Sequence, residues 1–253
     1  MKEHIPHIIQ LLEKSGRLIM AVYEKSEADF SVQWKEDASP LTIADRQSHD
    51  FLVEELSKLP VSLPVMSEEA QPTEFTVRKE WKKYWCLDPL DGTKEFIKRN
   101  NQFTINLALI ENSSPILGFI HVPASGETYF ASLGDGSYKY DGFNTISIRA
   151  NTKRADWIAV GSSSHGLGAE EAVLQDFPIG EFVKAGSALK FCMIASGEAD
   201  IYYRHGPTME WDTAAGHLLV EEAGASFRYF SDSPNHYNKE NLVNPPFLVK
   251  ISS

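Results

Sequence analysis

The stretch Cys86-Leu87-Asp88-Pro89-Leu90-Asp91-Gly92-Thr93 limits what this chain can fold into more than any other part of it. The apolar residues Trp85, Cys86 and Leu87 predict the end of a buried strand. An ionised carboxylate tolerates burial only when a counter-charge meets it. Asp88 and Asp91, set around a proline at such a place, therefore demand a cation. Proline fixes φ and removes a competing N–H, so a short Asp-Pro-Leu-Asp loop can aim two carboxylates and the Leu90 carbonyl at one point. Gly92 and Thr93 then predict a helix start. Its free N–H groups and dipole favour a phosphate oxygen, and the Thr93 hydroxyl can orient an attacking water.

The other carboxylates narrow the choice of cation. Glu68 and Glu69 follow a predicted short strand, while Asp45 and Asp212 lie early in predicted helices. An oxygen-rich donor set of this kind suits hard cations, Mg²⁺ above all, and not zinc. The eight histidines are scattered, and none pairs with cysteine or another histidine at ligand spacing. Asp45 or Ser67-Glu68-Glu69 alone would read as solvated surface charge; the placement of Asp88 and Asp91 after an apolar strand would not. Metal ligands followed at once by an anion-binding turn suit phosphoryl transfer to water.

Apolar spacing at Ile5, Ile8, Ile9 and Leu12 predicts an amphipathic helix over about 3–28, and a second helix over about 41–59 enters through Ala38-Ser39-Pro40. Alternating, turn-punctuated sequence from Phe103 to Gly142 predicts antiparallel strands, two of them near 104–110 and 115–122 around Glu111-Asn112-Ser113-Ser114. From about 155 strands and helices alternate, ending in a helix from Trp211 closed by Gly224. The expected organisation is one domain over 1–253, with an α+β half to about 150 and an α/β half after it. A net charge of −11 argues against nucleic acid or an anionic membrane as the main partner. The charged N-terminal segment predicts no signal peptide, and no apolar run approaches a membrane span, so a cytoplasmic location is expected, compatible with loose attachment to the inner membrane surface. Cys86 and Cys192 read as reduced core thiols.

Other motifs fail. Gly161-Ser162-Ser163-Ser164-His165-Gly166 has the wrong glycine spacing for a nucleophile elbow. Gly134-Asp135-Gly136 lacks the third glycine of a dinucleotide fingerprint. The sequon at Asn112 is idle without a secretory signal.

Four segments along almost the whole chain, Thr42–Asp45, Ser67–Glu69, Asp88–Thr93 and Trp211–Ala225, resemble the inositol monophosphatase superfamily of Mg²⁺-dependent, Li⁺-sensitive phosphatases. Within it the chain is most similar to the bacterial 3′(2′),5′-bisphosphate nucleotidases, through Asp91-Gly92-Thr93-Lys94-Glu95-Phe96, Gly186–Cys192 and Arg204–Asp212. The resemblance implies a layered αβαβα sandwich of the inositol monophosphatase and fructose-1,6-bisphosphatase type. It implies hydrolysis of adenosine 3′,5′-bisphosphate, with phosphoadenylyl sulfate as a second substrate, by a monomer or homodimer. Glu68, Asp88, the Leu90 carbonyl, Asp91 and Asp212 would hold two or three Mg²⁺, while Asp45 and Thr93, with Glu68, would be catalytic. Glu69 would reach a further metal through water or support Glu68. Gly92, Thr93, Ser187, Lys190, Arg204 and Asp212 would bind substrate, with His165 lining the base pocket. An inositol-phosphate or other sugar-phosphate phosphatase on the same scaffold is the rival reading, and a non-catalytic Mg²⁺-dependent binding protein the reading from another class.

Overall fold

Helix α1 (Ile5–Tyr23) follows a short 3-10 turn and buries Ile8, Ile9, Leu12 and Ile19, as its spacing requires. The computed structural model describes residues 2–25, 32–34, 40–151, 154–162, 168–231 and 236–251. Pro40 does not open the second helix. It pairs with Trp34 in a two-stranded ladder of β1 (Val32–Trp34) and β2 (Pro40–Thr42), and Thr42 caps α2 (Ile43–Ser57) by accepting the Ala44 N–H.

The chain continues through β3 (Val65–Ser67), a short α3 (Phe75–Arg78), β4 (Lys83–Asp91) and α4 (Thr93–Ile97). A meander follows: β5 (Thr104–Glu111), β6 (Ser114–Val122), β7 (Glu127–Ser132), β8 (Gly136–Tyr140) and β9 (Thr145–Ile148). Strands β3 to β9 form a seven-stranded sheet in chain order, parallel only between β3 and β4. The β5–β6 hairpin turns at Asn112 and Ser113, both left-handed (φ 49° and 63°), the geometry that matches strand twist in a two-residue loop.

The rest comprises β10 (Trp157–Ser162), α5 (Gly168–Leu174), β11 (Ile179–Ala185), α6 (Leu189–Ala195), β12 (Ile201–Arg204), α7 (Glu210–Glu222), β13 (Ala225–Tyr229) and β14 (Phe247–Ile251). The second sheet has the order β11-β10-β12-β14-β13, with β10 parallel to both of its neighbours and the other pairs antiparallel.

Period-two alternation decides what covers each face. Trp85, Leu87, Ile105, Leu107 and Phe119 pack with α1 and α2, whereas Cys86, Ala108, Ile110 and Ile120 face α6 and α7. Beyond those helices lies the second sheet, whose outer side packs Trp157, Ala159 and Ile201 with Leu174 of α5. The layers thus read helix, sheet, helix, sheet, helix. Helix α7 is buried from Thr213 to Val220, which explains why Thr-Ala-Ala-Gly-His-Leu-Leu-Val shows no polar face. Gly118 admits it: a Cβ there would stand 2.7 Å from the Ala215 carbonyl. Cys86 and Cys192 are buried and unbridged. No described helix is long and apolar enough to cross a membrane.

Candidate active site

Parallel pairing puts Ser67 of β3 opposite Leu87 of β4. The next residues, Glu68 and Asp88, therefore leave the ladder side by side, with the Glu68 N–H donating to the Leu87 carbonyl at 3.2 Å. The segment from Asp88 to Asp91 is not a loop after the strand, as the proline suggested. It is the bulged end of β4: Asp88 pairs with Asn106 and Asp91 with Thr104, so three steps on one strand match two on the other. Residues three apart on a regular strand face opposite sides; the bulge re-phases them, and both carboxylates turn to the side of Asn106 and Thr104. Pro89 keeps a role in this geometry, since its carbonyl accepts the Ser48 hydroxyl at 2.7 Å and Ser48 in turn meets Ser15 of α1 at 2.8 Å.

Asp45 and Asp212 enter in one common way. Each is the third residue of its helix, and each accepts the main-chain N–H just before the helix, from Thr42 and Met209, at 2.8 Å through Oδ2. The reach-back fixes the side chain and leaves Oδ1 to the site. Glu68, Asp88 and Asp212 each bring a carboxylate oxygen within 4.8 Å of the other two. Asp91 flanks this group. Its Oδ2 accepts Ser187 Oγ at 2.7 Å and Asn106 Nδ2 at 3.2 Å. Glu69 stands apart from the three, and its charge is felt at Asp45.

Asp88 is 1 % exposed. Burial, then repulsion from Glu68, Asp91 and Asp212, raises its carboxyl well above the usual range, although the Leu90 N–H supports it at 3.0 Å. Burial and then Asp91 push Asp212 the same way. A crowded all-oxygen group whose ionised form is this disfavoured fits a hard divalent cation. Asp45 is raised to about 6, by burial against its hydrogen bonds from Thr42. The Thr93 hydroxyl lies 3.2 Å from Asp45 Oδ1 and 3.4 Å from the Leu90 carbonyl, which links Asp45 to the bulge. Helix α4 has only five residues, so a phosphate there would meet local N–H groups and little dipole.

Beside Asp91 and Asp212 opens a cleft of about 150 Å³ whose walls include Gly92, Ser187, Lys190 and Arg204. Gly92 sits at φ +90° with Ser187 Cβ only 3.1 Å from where its own Cβ would be, so glycine is required. Lys190, on a helix, and Arg204, at a strand end, are both buried, at 6 % and 9 % exposed. The Lys190 ammonium donates to the Ser187 carbonyl at 2.6 Å and the Ala185 carbonyl at 3.2 Å, and burial lowers its pKa to about 8. Arg204 Nε is buried with no hydrogen-bond partner among the described residues. His165 lies outside the described residues. Sequence reasoning missed Thr104 and Asn106, which sit 2.8 Å apart and join Ser187 to Asp91. Their signal was available: Thr104 and Asn106 are polar alternate positions at the start of a strand that runs apolar from Leu107 to Ile110.

The sequence model of the inositol monophosphatase family matches residues 1–250. The 3′(2′),5′-bisphosphate nucleotidase CysQ of Escherichia coli (strain K12) is 39% identical over 248 residues, covering 98% of this chain and 99% of that protein. The crystal structure of CysQ from Bacteroides thetaiotaomicron, a bacterial member of the same family, superposes with a TM-score of 0.84 at 40% identity, over 96% of this chain and 95% of that one. An inositol monophosphatase/NADP phosphatase complexed with Mg²⁺ and phosphate shares the fold at a TM-score of 0.79 and 18% identity, covering 98% of this chain and 90% of that one. With the matched model spanning nearly every residue and full-length relatives this similar, the chain belongs to the inositol monophosphatase family.

Proposed function

We propose that this protein removes the 3′-phosphate of adenosine 3′,5′-bisphosphate, giving AMP and inorganic phosphate, and acts on phosphoadenylyl sulfate in the same way. The observation that carries this reading is the contact between two unlike charge sites. Asp212, grouped with Glu68 and Asp88, lines together with Asp91 a cleft that Lys190 and Arg204 also line, the Arg204 Nε being buried with no partner among the described residues. A monoester of an uncharged alcohol has no use for the second site, whereas a bisphosphate does. The names of the relatives support the same substrate.

Glu68, Asp88, Asp91, Asp212 and the Leu90 carbonyl would hold Mg²⁺. Four ionised carboxylates carry four negative charges, which two divalent ions balance. When bound, Mg²⁺ supplies charge neutralisation at the phosphoryl group and a more acidic water. The chain's own part is proton handling and grip. Thr93 Oγ1 takes a proton from the attacking water as it passes its own to Asp45 Oδ1, which Thr42 holds in place. Water oxygen joins phosphorus, and the bond to the 3′-oxygen breaks with its electron pair. That oxygen takes a proton from solvent water to become the 3′-hydroxyl of AMP, while Asp45 returns its proton to solvent. Arg204 meets the phosphate that stays, Ser187 lines the same cleft with its hydroxyl given to Asp91, and Lys190 fixes the Ala185–Ser187 turn and adds its charge.

The test is phosphate release from adenosine 3′,5′-bisphosphate and inositol 1-phosphate at fixed Mg²⁺, with EDTA as control. Charge-assisted hydrogen bonds of about 1.5–3 kcal/mol predict roughly 10- to 100-fold higher kcat/KM for the bisphosphate. Equal or reversed efficiencies would favour a sugar-phosphate phosphatase. No Mg²⁺-dependent release from either would leave only a binding protein.

A further inference from the structure

Glu68 also lines a second cavity, of about 440 Å³, that shares no residue with the cleft around Lys190 and Arg204. One wall runs from Val65 through α3 to Trp81, and the other is formed by Trp211 with Glu240, Asn241 and Leu242. Arg78 ties the walls together. It is 5 % exposed and donates to Asn238 Oδ1 at 3.0 Å and to the Glu240 carbonyl at 2.8 Å, with its guanidinium 4.9 Å from the Phe75 ring. The volume lies in the range of pockets for small organic ligands, about 300–1,000 Å³.

Its chemistry differs from that of the cleft. Phe75, Trp81 and Trp211 supply aromatic lining, which suits a planar ring. Among the lining residues the acidic Glu68, Glu74 and Glu240 outnumber the single basic one, Arg78, whose guanidinium is already engaged with Asn238 Oδ1 and the Glu240 main-chain carbonyl. Phosphate is disfavoured there, and a ring that donates hydrogen bonds is favoured. We infer that this cavity is a second binding site, for an uncharged, amino-bearing heteroaromatic compound of nucleoside size, distinct from the phosphate-gripping cleft. An occupant would touch both the strand end that carries Glu68 and the residue before Asp212, and the inference stands independently of the nucleotidase reading.

Adenosine is a suitable probe, measured by equilibrium dialysis against the full chain in EDTA. Trp81→Ala should weaken binding about tenfold or more, in line with the loss of one ring stack. Leu242→Trp, which fills the cavity and keeps Trp81, should do the same, and it decides the matter if Trp81→Ala fails to fold. Arg204→Ala should bind within about twofold of the parent, because its side chain serves the other cleft. Parental affinity in either folded cavity variant, loss in Arg204→Ala alone, or no saturable binding by the parent at millimolar adenosine would each overturn the inference.

Discussion

Thr93 has one hydroxyl proton, and the nearest acceptors are Asp45 Oδ1 at 3.2 Å and the Leu90 carbonyl at 3.4 Å. In the proposed relay that hydroxyl would hand its proton to the carboxylate while it receives one from water, so its value would lie in the transition state and not in substrate binding. Thr93→Ala should therefore lower kcat by about 100-fold or more, within the range of general acid–base effects, and leave KM within about threefold. A variant with parental kcat and raised KM would show that Thr93 only holds substrate. At this scale much could be read in advance. Asp88 and Asp91 announce themselves, because two carboxylates beside an apolar strand have few innocent explanations, whereas Asp45 and Asp212, at helix starts where capping alone accounts for an acid, gain their part from the family resemblance. What could not be read is which groups hold those carboxylates. Ser187 reaches Asp91 across 96 positions of sequence, and Ser48 reaches Pro89 across 41; pairings so distant leave no local trace. The burial of Lys190 and Arg204 was hidden for the same reason, since it is made by neighbours on other elements.

The strand β4 and the helix α7 do most of the positioning, and each hid a different feature. The strand's apolar run was plain in sequence, but the bulge was not, because Asp-Pro-Leu-Asp reads equally as a loop. The start of α7 depends on contacts with a segment near the end of the chain. Glu210, its first residue, is fully buried and accepts the N–H groups of Asn238 and Lys239 at 2.7 and 2.9 Å and the Lys239 ammonium at 2.7 Å. Two residues on stands Asp212. Glu210→Gln would set an amide donor against an N–H and leave the Lys239 charge without its carboxylate. Breaking a buried pair costs about 3 kcal/mol or more, which for a chain of this size lowers Tm by roughly 5–10 °C. Adding Lys239→Met to Glu210→Gln should recover part of that loss, because no charge is then stranded. If the single variant melts with the parent, the pair does not anchor α7; if the double variant is no better than the single, the stranded charge is not the cause.

For the whole molecule the acidic site sets stability against pH and metal together. Asp45, raised from 3.8 to about 6, makes the native state hold more protons than the unfolded one between those values, so its contribution falls as pH rises through that window. His121 works in the opposite sense. Burial lowers it from 6.5 to about 4, so the unfolded state holds the extra proton and stability rises with pH over nearly the same window. The two shifts are similar in size and largely cancel. Asp88 and Asp212 remain, both raised well above the usual range, and both make the metal-free fold less stable as pH rises through their folded values. A divalent cation removes that repulsion, but only when the carboxylates are ionised. At about 100 times its dissociation constant an ion bound to the native state stabilises by about 2.7 kcal/mol, or roughly 5–10 °C for a chain of this size. Mg²⁺ should therefore raise Tm clearly at pH 8 and barely at pH 5, with EDTA restoring the lower value. Asp88→Asn should melt above the parent in EDTA at pH 8 and show little response to Mg²⁺, since one repelling charge and one ligand are lost together. A Mg²⁺ shift of equal size at both pH values, or an Asp88→Asn protein that still responds like the parent, would mean that the ion binds elsewhere and that these carboxylates are not its ligands.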